Sequence, residues 1–281
     1  MIVGVIGAGQ MGAGIAQVSA GAGHDVLLSD IDIARAEAGK AGIAKALGRL
    51  VAKEKMSQGD ADALLGRITP VADHSAFAPA DLVIEAATER EEIKRAIFAS
   101  VGQHLSATAI LASNTSSIPI TRMAASMPDP ARFIGMHFFN PVPVLQLVEV
   151  APSLLTSPST TDRTRDFVEG HLGKQAIDCQ DRAGFVVNAL LVPFVLSAIR
   201  MLESGFATAE DIDRGLVLGA AHPLGPLALA DLIGLDTTAA VADSLYAEFK
   251  EPLYAAPPLL ARMVDAGLLG RKSGRGFYTY E

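Results

Sequence analysis

One cysteine, no tryptophan and only 5% aromatic residues leave this 281-residue chain without several familiar markers. A lone Cys179 excludes an intrachain disulfide framework and suits a reducing compartment, here the cytoplasm. Basic residues are also scarce: 23 Lys and Arg against 31 Asp and Glu give a formal charge of -8, a poor footprint for nucleic acid, so no such partner is expected. Met1 to His24 carry no Asp, Glu, Lys or Arg, yet their seven glycines and the lack of a basic leading segment speak against a secretory signal or a membrane span. The uncharged stretch Ala183 to Ile199 contains Asn188, Pro193 and Ser197 and is a little short for a bilayer, so it reads as a buried helix. No membrane contact and no metal site are expected.

What is present is a chain half hydrophobic, rich in Ala, Val, Leu and Gly, and long enough to bury a large core. Strand-like runs at Ile2–Ile6, Val26–Ser29, Leu82–Glu85, Ala109–Ala112, Phe133–Phe138, Leu145–Val150 and Gln175–Asp178 are separated, over the first four, by helical spacers. That alternation predicts an α/β fold with a doubly wound, mostly parallel sheet. After Asp181-Arg182-Ala183-Gly184 the strand signals stop, and helical patterns run from Phe185 to Glu203, Ala209 to Gly219 and Leu227 to Phe249. Two domains are therefore expected, 1–183 and an all-helical 184–281, with a helical insert at about 33–66 in the first.

The first strand runs into Gly7-Ala8-Gly9-Gln10-Met11-Gly12 and then a helical pattern, which is GxGxxG in the strand-to-helix context that a dinucleotide requires. Gly7 permits the tight turn, Gly9 lets backbone approach a pyrophosphate, and Gly12 lets helix and strand pack closely, with helix N-terminal amides facing the anion. The second strand ends in Asp30, 18 residues beyond Gly12, placed to accept from the adenosine ribose hydroxyls. A carboxylate there repels a 2′-phosphate and the nearest arginine is Arg35, so NAD is the expected cofactor in a Rossmann-type domain.

Two ionisable residues sit inside apolar runs, His137 in Met136-His137-Phe138-Phe139 and Glu149 in Leu147-Val148-Glu149-Val150. The Pro141-Val142-Pro143 break between them returns one strand beside the other. A carboxylate buried without a partner costs several kcal/mol, and the adjacent strand offers an imidazole. Such a pair is a catalytic base: the carboxylate fixes the imidazole tautomer and stabilises the imidazolium formed when the other ring nitrogen takes a proton. Each residue alone also reads as structural, His137 as a backbone-bonded core histidine and Glu149 as a strand-edge acid.

In the insert, Ile43, Leu47, Leu50 and Val51 make one apolar face, while Lys45, Arg49 and Lys53 recur every four residues on another. Like charges at that spacing cost roughly 0.2 to 0.5 kcal/mol per pair, so the stripe asks for an anion such as a nucleotide phosphate, or is simply solvated. Gly39, Gly42 and Gly48 predict an irregular helix. The fourth strand delivers Ser113-Asn114-Thr115-Ser116-Ser117 to the ligand-binding edge of the sheet, where these groups could hold a carboxamide and a substrate oxygen or cap a helix. The ending, Gly270 to Tyr278, reads as a basic glycine-rich turn tied down by Phe277 and Tyr278.

Taken together, GAGQMGAGIA, SNTSS, MHFFNPV, LVEV, GFVVN, HPLGPLALADLIGLD and GRKSGRGFY resemble the 3-hydroxyacyl-CoA dehydrogenase family, in its order, from Val5 to Tyr278. The resemblance implies reversible NAD-dependent oxidation of a short (S)-3-hydroxyacyl-CoA. It implies catalytic roles for His137, its partner Glu149, Ser116 as substrate-oxygen ligand and Asn188 from the first helix of the second domain. It places Gly7, Gly9, Gly12, Asp30, Glu89, Lys94 and Asn114 near the cofactor, and Arg49 and Lys53 on a hairpin that contacts coenzyme A. The family's usual asparagine before His-Pro is Ala221 here. A homodimer through the helical domain is expected. A hydroxyacid or sugar-acid dehydrogenase, or one using carrier-bound thioesters, shares much of this pattern.

Overall fold

The computed structural model describes residues 1–280, which fall into two compact units, one ending at Asp181 and one beginning at Arg182. The first opens with strand β1 (Ile2–Ile6), helix α1 (Gln10–Gly21) and strand β2 (Asp25–Ser29). A helical hairpin follows, α2 (Ile33–Ala52) and α3 (Gln58–Gly66), and then β3 (Ile68–Pro70). Next come β4 (Leu82–Glu85), α4 (Glu91–Gly102), β5 (Ile110–Ser113) and α5 (Ile120–Ala124). The unit closes with β6 (Phe133–Phe138), β7 (Leu147–Pro152), α6 (Pro158–Asp166) and β8 (Gln175–Asp178).

The eight strands form one sheet in the order β3-β2-β1-β4-β5-β6-β7-β8. All neighbours run parallel except β6 and β7, the pair joined by the proline-rich turn. Val5, Val26, Leu28, Ile84, Ala112 and Met136 are sealed from solvent between the sheet and its helices. Full burial of each larger aliphatic contributes about 1.5 to 3 kcal/mol, which accounts for the near-continuous apolar reading of these strands. Strand β3 lacks any such signature because it is three residues long and ends in Pro70.

Helix α2 corrects the expectation of irregularity. It is continuous over 20 residues, capped by Asp32, whose side chain accepts from the Arg35 amide. Gly39 has a packing reason instead: a Cβ there would lie 2.6 Å from the Ala8 side chain, so the glycine lets α2 press on the glycine-rich loop.

The second unit contains α7 (Val187–Glu203), α8 (Ala209–Gly219), α9 (Pro226–Ile233), α10 (Leu235–Phe249) and α11 (Pro258–Asp265). Leu196, Ile199, Leu227, Leu235, Leu245 and Leu260 make its core. The predicted single helix from Leu227 to Phe249 is two helices, because Gly234 adopts φ 104 and breaks the hydrogen-bond ladder. The C-terminal turn is clasped by buried Asp231, which accepts from the Phe277 and Tyr278 amides. No described helix is long and apolar enough to cross a membrane.

Two stability predictions arise here. Ala221 is exposed and held at φ 55 after α8, a conformation that costs a β-carbon roughly 1 kcal/mol and that Gly or Asn tolerates. Ala221→Gly and Ala221→Asn should each stabilise the protein by about 0.5 to 1 kcal/mol, raising the melting temperature by roughly 2 °C. Unchanged or lower melting temperatures in both would contradict the strain.

His24 is buried before β2 against the rings of Phe167 and His171, and its Nε2 has no hydrogen-bond partner. Burial foremost, then the N-terminal ammonium and His171, hold its pKa below the ordinary value, outweighing Asp25 and Asp81. The unfolded chain thus binds this proton more readily, so the His24 contribution is complete above about pH 6.5 and is lost as pH falls below it. Melting temperature should drop between about pH 7.5 and 5.5, and His24→Gln should flatten that slope. An equal slope in the mutant would exclude His24 as the cause.

Candidate active site

The antiparallel register of β6 and β7 places His137 opposite Glu149. Their side chains meet at 2.7 Å, Nδ1 to Oε2, with Glu149 fully buried and His137 exposed by 7%. Donation from Nδ1 to a carboxylate makes Nε2 the acceptor nitrogen of the ring, the tautomer that a general base needs. Phe139 packs on the imidazole, ring centroids 4.5 Å apart, and fixes its plane. Asn114, at the end of β5, accepts from the Phe138 amide through Oδ1 at 2.8 Å and pins β6 beside the histidine. Nearby Cys179 offers no nucleophile: burial, reinforced by Glu149, Asp178 and Asp181, pushes its thiol up to about 12.

The glycine loop fits a dinucleotide. Gly7 takes φ 100, and a Cβ on Gly12 would lie 1.7 Å from the Gly7 carbonyl oxygen, so neither position accepts a side chain. A Cβ on Gly9 would meet nothing within 4 Å, which leaves open space over the first turn of α1. That helix has no acidic residue in its first turn and no side-chain cap, so its amides are available to an anion. Asp30 lies at the same edge with its Oδ2 accepting from the Ala8 amide at 2.6 Å, so it also fastens the loop.

Ser116 lies one turn beyond β5, with its hydroxyl within hydrogen-bond reach of Glu89. Glu89 Oε1 accepts from the Ser116 amide at 2.8 Å and hydroxyl at 3.1 Å, from the Thr115 hydroxyl at 2.6 Å, and from both donors of Ser117. Lys94 is 1% exposed, with its ammonium 2.5 Å from Glu85 and 3.8 Å from Glu89. Glu85 was absent from the sequence-derived site, although a carboxylate ending the apolar run Leu82-Val83-Ile84 carries the same signal as Glu149. Arg49 and Lys53 are exposed at the C-terminal end of α2, in line with exposed Lys45 and away from the buried face of Ile43 and Leu47. Asn188 stands in the first turn of α7 in the second unit, half-buried.

A dinucleotide-shaped loop and a buried histidine–carboxylate pair at one sheet edge define a nicotinamide-dependent dehydrogenase. Residues 2–182 match the 3-hydroxyacyl-CoA dehydrogenase NAD-binding domain and residues 184–280 match its C-terminal domain. The chain belongs to the 3-hydroxyacyl-CoA dehydrogenase family. A 3-hydroxybutyryl-CoA dehydrogenase of Mycobacterium tuberculosis is 53% identical over 99% of this chain and 98% of its own length. Among solved structures, M. tuberculosis FadB2 superposes with a TM-score of 0.98 at 53% identity, covering 99% of this chain and 98% of that one. The (S)-3-hydroxybutyryl-CoA dehydrogenase PaaH1 of Ralstonia eutropha gives 0.95 at 46% identity over 100% and 99%.

Proposed function

We propose that the chain catalyses the reversible NAD-dependent oxidation of a short (S)-3-hydroxyacyl-CoA to the 3-oxoacyl-CoA, with 3-hydroxybutyryl-CoA and acetoacetyl-CoA as the pair. The observation that carries this reading is the 2.7 Å contact of His137 with fully buried Glu149, beside a glycine loop open to a dinucleotide. The bound nicotinamide supplies the hydride acceptor. His137 takes the proton of the 3-hydroxyl on Nε2 as hydride leaves C3, and Glu149 stabilises the imidazolium that results. In reduction the imidazolium returns the proton to the oxygen. Ser116 positions that oxygen and stabilises its developing charge.

Asp30 favours NAD through its carboxylate, which repels a ribose phosphate. Arg49 and Lys53, with Lys45, form a cationic stripe in a chain of net charge -8, suited to the phosphates of coenzyme A. The apolar surface of the helical unit, including Leu190 and Leu218, each more than 70% exposed, supports a homodimer. The single cysteine supports a cytoplasmic setting.

The test is the initial rate of NADH and NADPH consumption with acetoacetyl-CoA, with free acetoacetate run alongside. Turnover with the thioester and preference for NADH are expected. Turnover of the free acid alone would move the activity to a hydroxyacid, and a preference for NADPH would overturn the role given to Asp30.

A further inference from the structure

Glu85 and Lys94 form an ion pair with almost no solvent access, 0% and 1% exposed, at the ends of β4 and β5 where open α/β sheets bind ligands. Such a pair is weak evidence for stability, because the desolvation of two charges offsets most of their attraction. Its location gives it a different use. Glu85 Oε1 accepts from the Ala87 amide at 2.8 Å, and Oε2 takes the Lys94 ammonium at 2.5 Å and the Ser113 hydroxyl at 3.2 Å. It therefore ties down both ends of the loop 86–90, the loop that carries Glu89. The same ammonium lies 3.8 Å from Glu89 Oε2, on the side opposite the oxygen that collects the Thr115, Ser116 and Ser117 donors.

We propose that Glu85 is a positioning residue of the reaction, acting through Lys94 and Glu89 on the hydroxyl of Ser116. A serine hydroxyl has one proton and two lone pairs. Five donors of Thr115, Ser116 and Ser117 converge on Glu89 Oε1, more than one carboxylate oxygen accepts at once, so Glu89 fixes where the Ser116 hydroxyl stands while its proton stays available to the substrate oxygen. Held there, Ser116 leaves the single proton of the 3-hydroxyl to His137. The buried pair keeps Glu89 in register: Lys94 supplies the charge that holds its second oxygen, and Glu85 holds Lys94. The inference rests on the assignment of Ser116 to the substrate oxygen, and it adds the residues that hold the Ser116 hydroxyl in place.

A double-mutant cycle tests it. Lys94→Met alone leaves Glu85 buried and unpaired and lowers the melting temperature, whereas Glu85→Gln/Lys94→Met replaces the pair with neutral groups of similar size and restores much of it. The rates to compare are oxidation of 3-hydroxybutyryl-CoA at saturating NAD for the wild type, Glu85→Gln/Lys94→Met, Ser116→Ala, and all three changes together. Expected is a loss of about tenfold from the pair replacement in the native background and less than about twofold in the Ser116→Ala background, a non-additivity that a purely structural pair does not give. Equal losses in both backgrounds, or no loss in either, would overturn the role of Glu85 while leaving Ser116 in place. Wild-type turnover in Ser116→Ala alone would overturn the Ser116 assignment, and the inference with it.

Discussion

His137→Gln and Glu149→Gln are each expected to lower turnover by at least roughly a hundredfold, the usual range for a positioned general base, while NADH binding stays nearly intact. The two substitutions fail for different reasons. Glutamine at 137 has no basic nitrogen for the 3-hydroxyl proton. Glutamine at 149 can still accept from Nδ1, but it carries no charge to stabilise the imidazolium, and in its flipped state it presents a donor to the same nitrogen. The contact is shielded on every side, with Glu149 fully buried and His137 exposed by 7%, so water does not take over the carboxylate's function. Stopped-flow rates of NADH oxidation, with NADH affinity from its fluorescence, check both effects. Near-wild-type turnover in either mutant would remove that residue from the chemistry.

The glycine loop gives a second large effect, with a built-in control. In Gly12→Ala the new methyl group meets the Gly7 carbonyl oxygen at 1.7 Å, and neither group has a side-chain torsion that could relieve the contact. Overpacking of this kind costs about 1 to 3 kcal/mol, and a loop displaced to relieve it loses its fit to the pyrophosphate. NADH affinity should fall by roughly a hundredfold, about 2.8 kcal/mol, together with a lower melting temperature. Gly9 differs, because its added Cβ touches nothing in the protein and its backbone, φ -69, suits any residue. Gly9→Ala should therefore keep the melting temperature and lose about tenfold or more in NADH affinity, since the methyl group fills the approach used by the cofactor. Wild-type NADH affinity in Gly9→Ala would show that the dinucleotide does not approach that backbone.

The sheet was legible where strands are fully buried, because burial on both faces leaves long apolar runs such as Val3 to Ile6 and Phe133 to Phe138. The adjacency of His137 and Glu149 was legible for a second reason: the prolines at 141 and 143 stop β6 and send the chain back antiparallel. Strand β3 carries too few residues to show a period. The break between α9 and α10 was hidden because Gly234 sits within an otherwise helical pattern, and only its positive φ reveals the turn. Gly39 misled in the opposite sense, as a helix breaker by propensity that proves to be a contact point with Ala8.

The network around Ser116 was less accessible. Glu89 and Ser116 are 27 residues apart and meet through side chains on two loops, a relation that no periodicity encodes. Glu85 could have been found by the reasoning that singled out Glu149, since an acid closing a run of Leu, Val and Ile demands a cation, and Lys94 lies on the next helix.

The most direct test of His137-dependent hydride transfer is a single-turnover reduction of acetoacetyl-CoA with NADH deuterated at the transferable position, followed by mass analysis of the thioester. The expected result is a 3-hydroxybutyryl-CoA carrying the deuterium at C3 with the wild-type protein, and essentially none over the same interval with His137→Gln. Deuterium at C3 at equal rates in both proteins, or product without deuterium at C3, would contradict it.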